Sequence, residues 1–398
     1  PDFVRMQAAD TKYRYKAIER KISEELADEV RTFINDNKIK GVYLETDAKR
    51  YYPYSSLGAQ LLGFVSDDNI GTEGLEAYYN SYLEGVAGKV VTTKGNYGSE
   101  MPYTFEKYYD ATNGDSLVLT IDTTVQSYLE KNLQAAIDRY GTSASGSRLL
   151  AGEKSLYQEL EREIADWKHA EDALVCVGGH STNVTVVGNF CGRGDLIVYD
   201  ALAHNSIEQG CRLSRAVSKP FPHNDPEALE NILKVHRAHF AKVLIVIEGA
   251  YSMDGDVADV PAFVALKKKY GCFLMVDEAH SACVIGQTGG GVDEYFHLEP
   301  TDVDIKMGTL SKGLGTCGGY LAGRKCLIEY LRYNLPGFVF SVGISPALAA
   351  GTLEAIRQLR HNPQIMADMK RNIQCFADCA KKHRFDVCLA GETAILPV

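Results

Sequence analysis

No cysteine, histidine or tryptophan occurs in the first 140 residues of this 398-residue chain. All ten Cys, all ten His and the single Trp come later, whereas most of the 23 Tyr come earlier. That absence removes the commonest nucleophiles, proton shuttles and soft metal ligands from the N-terminal part. No apolar run reaches the roughly 18 residues needed to span a bilayer, and no signal-peptide pattern opens the chain. Positive charge is also short. A net charge of −10 argues against a nucleic-acid partner, because phosphate binding needs clustered Lys and Arg.

What is present is ordinary for a globular protein: 45% apolar and 24% charged residues. A chain of this length exceeds what one core usually serves, so two domains are expected. The compositional break sets their limits at 1–140 and 141–398. The scattered cysteines read as buried free thiols of a reducing cytosol. Cys375 and Cys379 lie one helical turn apart but lack a second ligand pair, so no metal site is expected.

In the first part, periodicity predicts a helix over 11–37 and strands over 41–45, 61–65, 89–93 and 116–121. Asp67-Asp68-Asn69 and Asn113-Gly114-Asp115 are turn chemistry. A helix over Thr123–Tyr140 follows from Val125, Leu129, Leu133 and Ile137. No catalytic constellation is present, which leaves a structural or interaction module.

The second part alternates apolar runs with helical patterns, the signature of a parallel, doubly wound sheet. A helix is predicted over 155–169, with Ser155 and Gln158 as a capping box. Strands are predicted over 173–177, 196–200, 243–247, 273–276 and 303–307, with a helix over 264–270. Cys272 to Val276 is an apolar run ending in Asp277-Glu278-Ala279-His280, and ligands of such sheets bind at the strand C-termini. Thr309-Leu310-Ser311-Lys312-Gly313 sets a lysine among hydroxyls and glycines. Gly178-Gly179-His180 follows a strand and opens a helix, where bare N–H groups can hold a phosphate. A strand-end carboxylate, a histidine and a lysine in a glycine-rich turn suit pyridoxal 5′-phosphate (PLP), with the Lys holding its aldehyde as a Schiff base.

Four ordered motifs carry a family resemblance: Gly146-Ser147-Arg148, Glu248-Gly249-Ala250-Tyr251-Ser252-Met253-Asp254-Gly255, Asp277-Glu278-Ala279-His280-Ser281 and Thr309-Leu310-Ser311-Lys312. From about residue 136 to 398 the chain resembles the α-oxoamine synthases, a PLP-dependent group. The resemblance implies an α/β fold, the PLP fold-type I large domain, and a cytoplasmic homodimer. It also implies decarboxylative condensation of an amino acid with an acyl-CoA or acyl-carrier thioester. In that reading Lys312 bonds the cofactor and moves protons, and Asp277 pairs with the ring nitrogen. His280 bonds the ring hydroxyl, and His204 stacks on the ring. Gly179, His180, Ser252 and Thr309 hold the phosphate or ring edge. Other fold-type I chemistry, such as transamination, is the alternative; an inert fragment fused to a docking module is a third reading.

Residues 1–140 resemble the dimerisation (pedestal) domain of class B penicillin-binding proteins. Arg50-Tyr51-Tyr52-Pro53, Ala59-Gln60-Leu61-Leu62-Gly63-Phe64-Val65, Asp68-Asn69-Ile70-Gly71-Thr72-Glu73-Gly74-Leu75-Glu76 and Leu117-Val118-Leu119-Thr120-Ile121-Asp122 carry the likeness. Those relatives are extracytoplasmic and membrane-anchored. The chain contains no Ser-x-x-Lys and no Lys-Thr-Gly, so acylation by β-lactams is not expected. A chimera of two truncated genes is expected, ending where the α-oxoamine synthases begin their C-terminal domain. His180 departs from that group's aromatic residue, and only Ser341 and Ser345 stand where hydroxyls for a partner's phosphate are expected.

Overall fold

The computed structural model describes residues 17–45, 47–91, 107–385 and 393–397. It divides into two compact units, residues 1–127 and 128–398.

In the first unit, helix α1 spans Glu24–Asp36, and the Ser23 hydroxyl accepts from the Leu26 N–H. It is shorter than the periodicity suggests. Residues 11–16 lie outside the described residues, and Lys21 adopts a positive φ of 54° before the cap, which no helix tolerates. The expected strand over 61–65 is instead a short helix, Ala59–Leu62, followed by an isolated bridge between Val65 and Gly71. Neither 41–45 nor 116–121 pairs as a strand. Strand β1, Lys89–Val91, pairs antiparallel with β2, Lys107–Tyr109; residues 92 and 93 of the expected strand fall outside the described residues. The Arg50 guanidinium grips the buried Glu76 carboxylate with two N–H groups at 2.6 and 2.7 Å. Helix α2, Thr123–Tyr140, starts where the Asp122 carboxylate accepts from the Thr124 and Val125 N–H groups.

The second unit opens with α3, Ser155–Trp167, whose buried face carries Leu156, Leu160, Ile164 and Trp167. Lys154, not Ser155, occupies its cap position and no side chain caps it, so the expected capping box is absent. Seven strands follow: β3 Asp172–Cys176, β4 Leu196–Asp200, β5 Val217–Phe221, β6 Val243–Glu248, β7 Phe273–Asp277, β8 Ile305–Thr309 and β9 Gly319–Gly323. Their order is β3-β9-β8-β7-β6-β4-β5. Strands β4 through β8 run parallel, while β9 is antiparallel to both neighbours. This second unit is thus the doubly wound, mostly parallel sheet expected.

Helix α4, Gly179–Phe190, and α5, Asn205–Leu213, pack on one face with α8, Lys325–Asn334. Helix α6, Pro226–His236, and α7, Val260–Tyr270, cover the other. Both of the latter start with an Asp cap and a first-turn Pro, Asp225-Pro226 and Asp259 with Pro261. Every residue of β6 is buried, and each aliphatic side chain there stabilises by about 1.5–3 kcal/mol. Helix α9, Pro346–His361, packs with α3 in a further apolar cluster, and α10 spans Pro363–Lys382. Because β4, β6, β7 and β8 run parallel, Asp200, Glu248, Asp277 and Thr309 end on one edge; Glu248 pairs with Asp277 in register.

Candidate functional site

Asp277 ends β7 almost fully buried. Its carboxylate accepts from Asn183 Nδ2 at 2.6 Å and from the Ala279 N–H at 2.9 Å. Burial raises its proton affinity on balance, against the pull of those two donors and the Lys312 charge. Among the described residues it forms no ion pair, so a buried carboxyl group stands without a cationic partner. Glu248, its neighbour on β6, is pushed up to about 8 by burial and by the Asp277 charge.

Lys312 follows β8 in the turn beginning at Thr309. Its Nζ meets His280 Nε2, which the Asp277-to-His280 segment presents from the next strand end. Desolvation lowers the Lys312 proton affinity against the pull of Asp277 and Glu248. Desolvation, with the charges of Lys312 and His204, pushes His280 down to about 4, so its ring is neutral at pH 7.

His204 caps α5. Its Nδ1 accepts from the Ser206 N–H at 3.3 Å and lies 2.7 Å from Ser206 Oγ. Its own N–H donates to Glu248 Oε1 at 2.5 Å. Asn183, on α4, also donates to Ser206 Oγ at 3.0 Å, so one amide bridges the His204 cap and Asp277.

The His180 ring meets the His204 ring edge-on at 6.3 Å. Gly179 starts α4 so close to β8 that an added Cβ would sit 2.7 Å from Thr309 Oγ1; only glycine permits that approach. Thr309 Oγ1 lies 2.8 Å from Ser311 Oγ and donates to the Gly318 carbonyl at 3.2 Å.

Lys312, His280, Asp277, His204 and His180 thus gather at the strand ends, with Gly179 and Thr309 together beside them. Ser252 lies in the turn after β6, and among the described residues no hydrogen bond joins it to this group. Asn183 and Glu248 belong to the group; sequence patterns mark out Asn183 not at all and Glu248 only as the head of a motif, with no role in the site. Glu248 carried the same signal as Asp277, an acid closing an apolar strand; Asn183 was a polar residue inside a buried helix face.

The Gly146-Ser147-Arg148 turn lies elsewhere. The buried Arg148 guanidinium joins Glu153 at 2.7 Å and Glu161 at 2.5 Å, and Ser147 Oγ donates to the Val339 carbonyl at 2.7 Å. It locks the turn to α3 and to the segment before residue 341. Among the described residues no helix is long and apolar enough to cross a membrane, and no cluster suited to a metal ion occurs.

Residues 113–398 match the family described as aminotransferase class I and II, and residues 3–119 match the penicillin-binding protein dimerisation domain. The 8-amino-7-oxononanoate synthase of Geobacter sulfurreducens is 40% identical over 272 residues, 68% of each chain. A relative from Acaryochloris marina is 39% identical over 239 residues, and the chain spans 60% of that protein's length. The serine palmitoyltransferase of Sphingomonas wittichii superposes with a TM-score of 0.64 at 32% identity, over 67% of this chain and 66% of that one.

Proposed function

The chain belongs to the aminotransferase class I and II family, in its α-oxoamine synthase group, and from that premise we propose that residues 141–398 form a PLP-dependent C-acyltransferase. It would condense an amino acid with an acyl-CoA or acyl-carrier thioester, release CO2 and leave an α-amino ketone. The observation that carries this reading is Asp277: a buried strand-end carboxylate with no ion pair, close to a lysine of lowered proton affinity.

The residues fit the cofactor. Asp277 needs a cationic N–H, which a protonated pyridine nitrogen offers. The buried Asn183 Oδ1 has no partner of its own, so the amide is committed to holding Asp277 and Ser206 through its N–H groups. The glycine start of α4 leaves N–H groups bare for a phosphate.

Bound PLP supplies an electron sink for negative charge formed at the substrate α-carbon. Asp277 would keep the proton on the ring nitrogen. Lys312 would be the amine bonded to the cofactor aldehyde and, once freed, would remove and return the proton at the α-carbon. Its lowered proton affinity suits that exchange near neutral pH. The neutral His280 ring can donate a hydrogen bond to the cofactor hydroxyl without adding charge. His204, fixed by Ser206 and Glu248, would present its flat face to the ring, with His180 at its edge. Gly179, Thr309 and Ser252 would hold the phosphate. We also propose that two copies pair through the PLP unit, and that the N-terminal unit acts as a dimerisation or docking module of a chimeric chain.

The test is borohydride reduction of the chain incubated with PLP, followed by peptide mass analysis. The expected result is cofactor mass on the peptide carrying Lys312 and none in Lys312→Ala. Label elsewhere, or none, overturns the reading. CoA release on adding amino acid and acyl-CoA separates acyl transfer from transamination.

A further inference from the structure

His223 follows β5 and touches none of the residues assigned to the cofactor, yet both its ring nitrogens face carboxylates. Nδ1 lies 3.0 Å from Asp200 Oδ1 and Nε2 lies 3.2 Å from Asp256 Oδ2. Asp200 ends β4 fully buried, and Asp256 lies in the turn after β6. A neutral imidazole has one N–H and cannot donate to both; the cationic ring has two and can. The geometry therefore selects the cation.

The third wall is Tyr251, buried, whose ring meets the imidazole edge-on at 4.4 Å. Its hydroxyl accepts from the Glu248 N–H at 3.4 Å, and burial with the Asp200 charge raises its proton affinity. The neighbouring Asn224 adds a parallel tie: its N–H donates to Asp200 Oδ2 at 2.8 Å and its amide to the Val257 carbonyl at 3.3 Å. Of the acids on neighbouring segments, Asp225 and Asp259 are engaged as the caps of α6 and α7, and Glu248 lies on the far side of Tyr251. The turn itself is closed by Tyr251 N–H to the Asp256 carbonyl at 3.0 Å and Gly255 N–H to the Tyr251 carbonyl at 2.9 Å. Ser252 sits inside this turn. On its far side, Thr393 Oγ1 donates to the Gly255 carbonyl at 2.7 Å.

We infer that His223 is a positioning residue: its cation, clamped between Asp200 and Asp256, ties the turn carrying Ser252 to the end of β4 that leads to His204. The inference rests on the proposed cofactor site but concerns its second layer. One clamp joins the two chain segments that would hold the phosphate and the ring face, so losing it loosens both. Burial lowers the proton affinity of His223, but bonding and charge from Asp200 and Asp256 outweigh it and raise the net value. A raised value means the clamp is complete below the ordinary histidine range and fails as pH rises through the raised one.

The experiment follows His223 by histidine ring NMR in the full chain, its signal identified by its absence from His223→Gln. Its proton loss is expected above the ordinary histidine value, and further above it than in Asp256→Asn. Titration at or below the ordinary value overturns the inference. In parallel, the Kd for PLP is measured against pH by equilibrium dialysis. Affinity of the native chain is expected to fall about tenfold more than that of His223→Gln across the pH range where the NMR signal titrates. His223→Arg, which keeps the charge, is expected to flatten that loss. Identical pH profiles for the native chain and His223→Gln overturn the clamp while leaving the cofactor site intact. No binding by any variant, the native chain included, overturns the cofactor reading instead, and the NMR titration still decides the state of His223.

Discussion

At the scale of single residues, Asp277 is the sharpest test of the site. Asn has the same shape and can still accept from the Ala279 N–H, but it carries no charge for a ring nitrogen. Asp277→Asn is expected to lower the rate of CoA release by about a hundredfold or more, with a smaller change in PLP affinity, as measured by steady-state kinetics beside dialysis. Equal losses in both would mean that Asp277 mainly anchors the cofactor. His280 gives a pH test. Its folded proton affinity lies below the ordinary histidine value, so the neutral ring contributes stability above that value, and the contribution is lost as pH falls toward about 4. Denaturant melts of the PLP-free chain are expected to show that loss between the two values, and His280→Gln to lack it. The strand-end acid and the lysine were legible in sequence because each closes a recognisable pattern. Asn183 was not: nothing in its neighbours shows that its amide reaches Asp277, 94 residues further along the chain.

At the scale of elements, the segment after Asp277 is fixed by buried charge. Glu278 pairs with Lys168 at 2.7 Å, and both are fully buried. Glu278 Oε2 also accepts from the Val292 N–H at 2.9 Å. Next to this pair, Lys306 on β8 meets Asp293 at 2.8 Å and donates to the Lys168 carbonyl at 2.9 Å. Lys168→Met leaves Glu278 buried without its cation and is expected to cost about 3–5 kcal/mol in chemical denaturation. Lys168→Met with Glu278→Gln keeps the acceptor for Val292 and removes the stranded charge, so most of the loss is expected to return. A double variant no better than the single would place the cost in packing instead. The parallel strands were legible because their apolar runs are long and buried on both faces. Strand β5 was not, since it is an edge strand with Lys219 and Pro220 in five residues, and β9 was not, since Gly319–Gly323 has few β-forming side chains. In the first unit, short β-prone runs such as 116–121 found no partner strand, and propensity without pairing makes no sheet.

At the scale of the whole molecule, composition marked a break near residue 140, whereas contacts divide the chain after Ser127, inside helix α2. Composition registers where residue usage changes, and a helix can carry that change through without a linker. The cysteines show a second difference. Sequence suggested buried free thiols, yet Cys317, Cys326, Cys375 and Cys379 are exposed, because three of them lie on helix surfaces and one in the turn before β9. Cys388 lies outside the described residues. Cys176, Cys191, Cys211 and Cys283 are buried and pushed up to about 12, and Cys272 to about 11, chiefly by desolvation of the thiolate. Since the thiolate is the reactive form, brief alkylation at pH 8 is expected to label the four exposed cysteines and spare these five until the chain is unfolded. Peptide mass analysis before and after guanidine reads the difference. Rapid native labelling of Cys283, which packs against Gly313 beside Lys312, would mean that the lysine turn opens in solution, and PLP would then be expected to slow that labelling.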